Sequence, residues 1–126
     1  MTYKTSRARV SGLGSARQGS HHWWVHRVTS VALLPLTVLF VVPFAGALGG
    51  SHEEVLALYS NPFHALVAIL FIGVGFHHLM QGLQVVIEDY VHGKAWRTGL
   101  LIGNSMFCWA FGLAGVFAIL KIAFTG

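Results

Sequence analysis

The stretch NPFHALVAILFIGVGFHHLMQGLQVVIEDYVHG, Asn61 to Gly93, decides how this chain is built. Its apolar part, roughly 62–87, contains no Lys, Arg, Asp or Glu. That is long enough for a helix to cross a bilayer core, which takes about 20 residues. Asn61-Pro62 reads as a helix N-cap followed by a first-turn proline, and Gly93 as a stop beyond the far end. The pattern predicts a membrane-spanning helix over roughly 62–90. Two kinds of polar group interrupt it: His77-His78 within the apolar run and Asp89-Tyr90 where it ends. Ionisable groups inside a bilayer are costly, so they carry a function or an internal partner there. His78 and Asp89 are almost three whole turns apart, which places His78, Gly82, Val85 and Asp89 on one helix face about 16 Å long.

The rest of the chain agrees. Of 126 residues, 55% are hydrophobic and only 10% charged, with a mean hydropathy of +0.66. A water-soluble domain of this size could not hide so much apolar surface. Two further apolar runs, roughly 24–48 and 98–124, are also of spanning length. The expected fold class is all-α: a polytopic membrane protein with three transmembrane helices. Residues 1–20 form a cytoplasmic arm and 21–126 the three-helix membrane unit. A cleavable signal peptide is not expected, because the first apolar run follows more than about twenty polar residues and is too long for a signal core. The single cysteine, Cys108, lies in the third run and is silent about redox compartment.

Charge orients the spans. Lys4, Arg7, Arg9, Arg17 and Arg27 precede or begin the first, with no acid among them. The first connection carries Glu53 and Glu54, and the second carries Lys94 and Arg97. By the positive-inside rule, the N-terminus and second connection face the cytoplasm, or the equivalent compartment of an organelle. Membrane context argues against nucleic-acid binding by the basic arm. The segment HHWWVHRVTS, His21 to Ser30, marks an interfacial lead-in to the first span. Pro35 and Pro43 are candidate kinks, and Gly49-Gly50-Ser51 ends that span before a short interfacial turn of helix. Gly99 and Gly103 form a small-xxx-small pair suited to close helix contact.

His78 is the sharpest candidate for chemistry. A neutral imidazole ligates haem iron well, and Gly82 one turn on leaves room for a porphyrin. The alternative from the same spacing is a histidine hydrogen-bonded across a helix interface. His77 points about 100° away and reads as a packing residue, while His64 lies too far along the helix to share a metal. Past the interfacial lead-in, no histidine lies in the first or third span, so two-histidine ligation would require another subunit. Asp89 and Tyr90 suit a small carbonyl substrate at the interface, the phenol donating a hydrogen bond and the carboxylate relaying protons. Their alternative is an aromatic-belt residue beside a solvated acid. Arg27 and His21 would meet an acidic group of a cofactor, whereas His22 and His26 read as headgroup contacts. Met106 and Cys108 read as packing residues.

The pattern HxxxGxxxxxxDY from His78 to Tyr90, with the upstream GSARQGSHHWWVHRVTSVALLPL from Gly14, resembles the hydrophobic membrane-anchor subunits of succinate dehydrogenase. These are the smaller cytochrome b anchors of respiratory complex II, and the likeness is to alpha-proteobacterial and mitochondrial-type members. The resemblance implies half of a heterodimeric helix bundle, with His78 as an axial ligand of a haem b shared with a second cytochrome b anchor. It implies Tyr90 as a donor to ubiquinone, Asp89 beside it, and Arg27 and His21 near the haem propionates and quinone pocket. It further implies an iron–sulfur subunit and a flavoprotein as partners. The location implied is a bacterial inner membrane, or the mitochondrial inner membrane in a eukaryote. Succinate would be oxidised on another subunit. A redox-inactive structural or assembly subunit and a fumarate reductase anchor are the competing readings. A small multidrug-type transporter would need a membrane-embedded acid, and all four acids lie in loops or at a helix end.

Overall fold

In the computed structural model, residues 5–11 and 19–125 are described; much of the expected arm, residues 1–4 and 12–18, lies outside them. The described residues form five helical segments and no strand: α1 (Ser6–Ser11), α2 (Gly19–Ala47), α3 (His52–Ser60), α4 (Pro62–Tyr90) and α5 (Lys94–Thr125). Helices α2, α4 and α5 are each long and apolar enough to cross a membrane. This bears out three spans, with α4 at the expected residues. The first and third helices begin earlier than the apolar runs, at Gly19 and Lys94. Periodicity could not reveal this, because the interfacial His, Trp and Lys residues continue a helix without being apolar.

Local chemistry sets the helix ends. Beyond α2, Gly49 adopts φ +88°, a conformation glycine enters without a Cβ penalty. The Leu48 amide donates back to the Phe44 carbonyl at 3.1 Å, and Gly50 to Ala47 at 3.2 Å. Ser51 caps α3 by accepting from the Glu54 amide, with Glu53 and Glu54 in the first turn where the helix dipole favours acids. The Asn61 side chain accepts from the Phe63 amide at 2.9 Å, and Pro62 opens α4. Gly93 departs from expectation. Helix α4 ends at Tyr90 in an extended Val91, and the Gly93 carbonyl accepts from the Arg97 amide at 2.8 Å, so Gly93 starts α5 instead of stopping α4.

Helix α4 is central. It packs on α2 along one side and on α5 along another, while α2 and α5 make no contact with each other. The three spans form an open layer, not a closed bundle. Gly112 and Gly115 of α5 allow the close approach to α4: a Cβ at these positions would lie 3.3 Å from Phe76 and 3.2 Å from Ile72. Gly99 and Gly103, expected to serve that purpose, face open space. The Asn104 amide donates to the Met80 carbonyl at 2.9 Å, tying α5 to α4, and also receives the Cys108 thiol at 3.5 Å. Cys108 is buried as expected, whereas Met106 is exposed. At the opposite end, Phe40 of α2 stacks on Phe71 of α4 (4.5 Å between centroids) and lies 6.4 Å from buried Tyr59 of α3.

Candidate functional site

The contact of α2 with α4 places His78 beside residues that are distant in sequence. His78 Nδ1 lies 2.9 Å from the Thr29 hydroxyl. The same hydroxyl lies 2.9 Å from the Val25 carbonyl and 3.0 Å from the His26 carbonyl, both in its own helix. The His26 ring stacks on His78 with centroids 4.3 Å apart and planes 18° from parallel. His26 is therefore a half-buried packing partner of His78, which corrects its reading as a headgroup contact. It was missed because tryptophans and Arg27 around it carry an interfacial signature. A His three residues before a Thr on a helix was the available signal, since both positions share a face.

The two rings lie face to face, nearly parallel. Two axial ligands of one iron must approach it from opposite faces, so this pair cannot clamp a single metal between them. Consistently, no group of three or more His, Cys, Asp or Glu among the described residues is arranged to hold a metal ion. His26 Nδ1 and His22 Nε2, one turn apart on α2, are buried without a hydrogen-bond partner among the described residues.

His77 turns to the other flank of α4. It lines a cavity of about 110 Å³ between α4 and α5 with Phe76, Met80, Cys108 and Trp109. The doubled histidine is thus divided between the two helix interfaces. Beyond His78 the stripe opens: a Cβ on Gly82 would meet nothing within 4 Å, and Val85 and Asp89 are exposed. Tyr90 is 79% exposed at the last turn of α4. Arg27 and His21 are exposed near the start of α2, with the Arg27 guanidinium 5.0 Å from the Trp23 ring centroid. The fold therefore joins His78 to α2, while Tyr90, Asp89, Arg27 and His21 present unenclosed surfaces. Gln81, not singled out from the sequence, is 7% exposed with its carbonyl oxygen unpartnered.

Three apolar helices, two of them packed on the central third, with a polar stripe along that one, define a multi-pass membrane protein. Residues 1–117 match the family model described as "Succinate dehydrogenase/Fumarate reductase transmembrane subunit", and the chain belongs to that family. It is 40% identical over 122 residues to the succinate dehydrogenase hydrophobic membrane anchor subunit of Paracoccus denitrificans, covering 97% of this chain and 94% of that one. The anchor subunit of the same description from Rickettsia conorii is 30% identical over 108 residues, covering 84% and 85%. The succinate dehydrogenase membrane anchor subunit of Reclinomonas americana is 30% identical over 84 residues, covering 64% and 70%. These relatives bear out the resemblance to alpha-proteobacterial and mitochondrial-type anchors. No solved structure matches significantly.

Proposed function

We propose that this chain is the membrane-anchor subunit of a succinate:ubiquinone oxidoreductase, contributing one wall of a haem b site and part of the ubiquinone-reduction site. The observation that carries this reading is the α4 stripe: His78 held by Thr29, open space at Gly82 one turn on, and Asp89-Tyr90 at the helix end. The donor set fits a haem. His78 Nε2 has no hydrogen-bond partner among the described residues while Nδ1 is engaged, so Nε2 would be the atom to hold a haem iron. Were two histidines to hold the haem b, the second would come from the partner anchor, because His26 stacks on His78 instead of facing it. Bound there, haem b supplies a one-electron reservoir beside the quinone. Arg27, with His21 as a weaker partner, supplies hydrogen bonds and charge to the propionates or quinone pocket.

Tyr90 Oη donates a hydrogen bond to a ubiquinone carbonyl oxygen, where charge develops as electrons arrive from the iron–sulfur subunit. Asp89, exposed beside it, takes up protons from the aqueous side and passes them towards the quinone. Reduction to the quinol consumes two electrons and two protons. Succinate oxidation belongs to the flavoprotein, which docks with the iron–sulfur subunit at the end of the membrane unit carrying Tyr90. The basic N-terminus and the Lys94–Arg97 segment put that end on the cytoplasmic side of a bacterial inner membrane, or the matrix side of a mitochondrial one.

Two substitutions in the purified complex test this. Tyr90→Phe keeps the ring and removes the donor, so quinone reduction falls about 100- to 1000-fold, the range for loss of a proton-transfer or charge-stabilising group. Succinate oxidation with an artificial acceptor persists. Unchanged quinone turnover removes Tyr90 from the site. His78→Ala abolishes the bis-histidine haem spectrum; a complex without any haem b signal restricts His78 to the structural role its bond to Thr29 already provides.

A further inference from the structure

The geometry points to Thr29 as a positioning residue that sets the tautomer of His78 and aims its Nε2 at the metal. This rests on the reading of His78 as a haem ligand, but its argument comes from the α2–α4 interface. A hydroxyl has one proton and two lone pairs. Thr29 Oγ1 lies within hydrogen-bond distance of three groups: the Val25 carbonyl (2.9 Å), the His26 carbonyl (3.0 Å) and His78 Nδ1 (2.9 Å). Both carbonyls only accept, so either can take the single hydroxyl proton. Thr29 then has a lone pair for His78, which must carry its proton on Nδ1.

The opposite arrangement makes fewer bonds. If the hydroxyl donated to Nδ1, neither carbonyl would receive its proton. His78 would carry its own proton on Nε2, where no acceptor lies among the described residues. One arrangement forms two hydrogen bonds through Thr29 and leaves a bare lone pair at Nε2. The other forms one and leaves a partly buried N–H unpaired. Away from water an unmade hydrogen bond is costly, so the first arrangement wins. Its free lone pair is the atom an iron needs.

Stacking adds a second restraint. The His26 ring, 4.3 Å away and nearly parallel, limits rotation of His78 out of its plane, while the bond to Thr29 limits rotation within it. Both contacts come from α2, so the first span orients a ligand carried by the second. Accepting from Nδ1–H also increases electron donation by the imidazole, which favours the oxidised metal.

The test uses the intact purified complex with Thr29→Val, which keeps the β-branched shape and removes the acceptor, and Thr29→Ser, which restores it. For Thr29→Val we expect haem retention about 10- to 100-fold weaker, as for loss of other such supporting bonds. The haem midpoint potential should rise, and the low-spin electron paramagnetic resonance signal should shift. Thr29→Ser should return all three to the wild-type values, which a purely steric role for Thr29 would not require. Thr29→Cys, a weaker acceptor of similar reach, should give an intermediate shift and serves if the valine complex fails to assemble. Wild-type haem content, potential and resonance in both the Val and Cys complexes would overturn the proposal. His78→Ala separates the two levels: an unchanged haem signal there defeats the ligand reading itself. Loss of haem in His78→Ala with no change in the Thr29 variants defeats only the positioning role.

Discussion

Tyr59 and Thr29 show how differently two hydroxyl-bearing side chains behave at opposite ends of one helix layer. Tyr59 lies on α3, outside the spans, and is 6% exposed against Phe40. Burial raises its phenol pKa above the ordinary value. A raised folded pKa contributes stability fully present below the unfolded value, about 10, and lost as pH rises through the higher folded value. Ultraviolet phenolate titration should therefore show one tyrosine ionising late, accompanied by loosening of α3, and Tyr59→Phe should remove that late component. An ordinary titration for Tyr59 would contradict the burial. At this scale the sequence marked His78, Asp89 and Tyr90 as candidates, because polar groups at membrane depth or at a helix end are conspicuous. Thr29 was not legible, since a threonine in an apolar helix commonly bonds its own carbonyls, and only the neighbouring helix shows what its remaining lone pair does.

Between elements, close approach and hydrogen bonding replace the hydrophobic effect, because lipid is as apolar as the side chains it competes with. The glycine pairs on α5 separate these contributions. Gly115→Leu would drive a side chain into Ile72 and should destabilise α4–α5 packing by about 1–3 kcal/mol. Gly103→Leu meets nothing in this chain and should leave its thermal unfolding unchanged; equal losses in the two variants would refute the assignment. Asn104→Leu removes the bond to the Met80 carbonyl and should cost about 0.6–2 kcal/mol, measurable as a lower unfolding midpoint in detergent. The small-xxx-small spacing singled out Gly99 and Gly103, whereas Gly112 and Gly115 are the ones that meet α4. Which pair met α4 depended on the rotation of α5 about its axis, which a run apolar on every side does not encode. Gly93 was ambiguous for a related reason: in a short connection, a glycine can close one helix or open the next, and the hydrogen bond from Arg97 decides.

For the whole molecule, the open layer is the consequential feature. Among the described residues no large side chain is fully buried in the chain alone, and α2 has no buried residue. Lipid or another subunit must cover these faces, in keeping with the proposed heterodimeric bundle. Affinity purification through this chain should recover a second three-helix anchor, an iron–sulfur protein and a flavoprotein; recovery of the chain without them would remove the proposed assembly. The sequence by itself determined three spans and a polar stripe, because bilayer thickness and the cost of unpaired polar groups act on short, contiguous segments. Its charge asymmetry also supplied the expected orientation. Tertiary structure decided that α4 lies between α2 and α5, that His77 and His78 serve opposite interfaces, and that Thr29 and His26 meet His78. Those outcomes depend on helix rotation and vertical register, which arise from many weak contacts between helices whose apolar surfaces look alike in sequence.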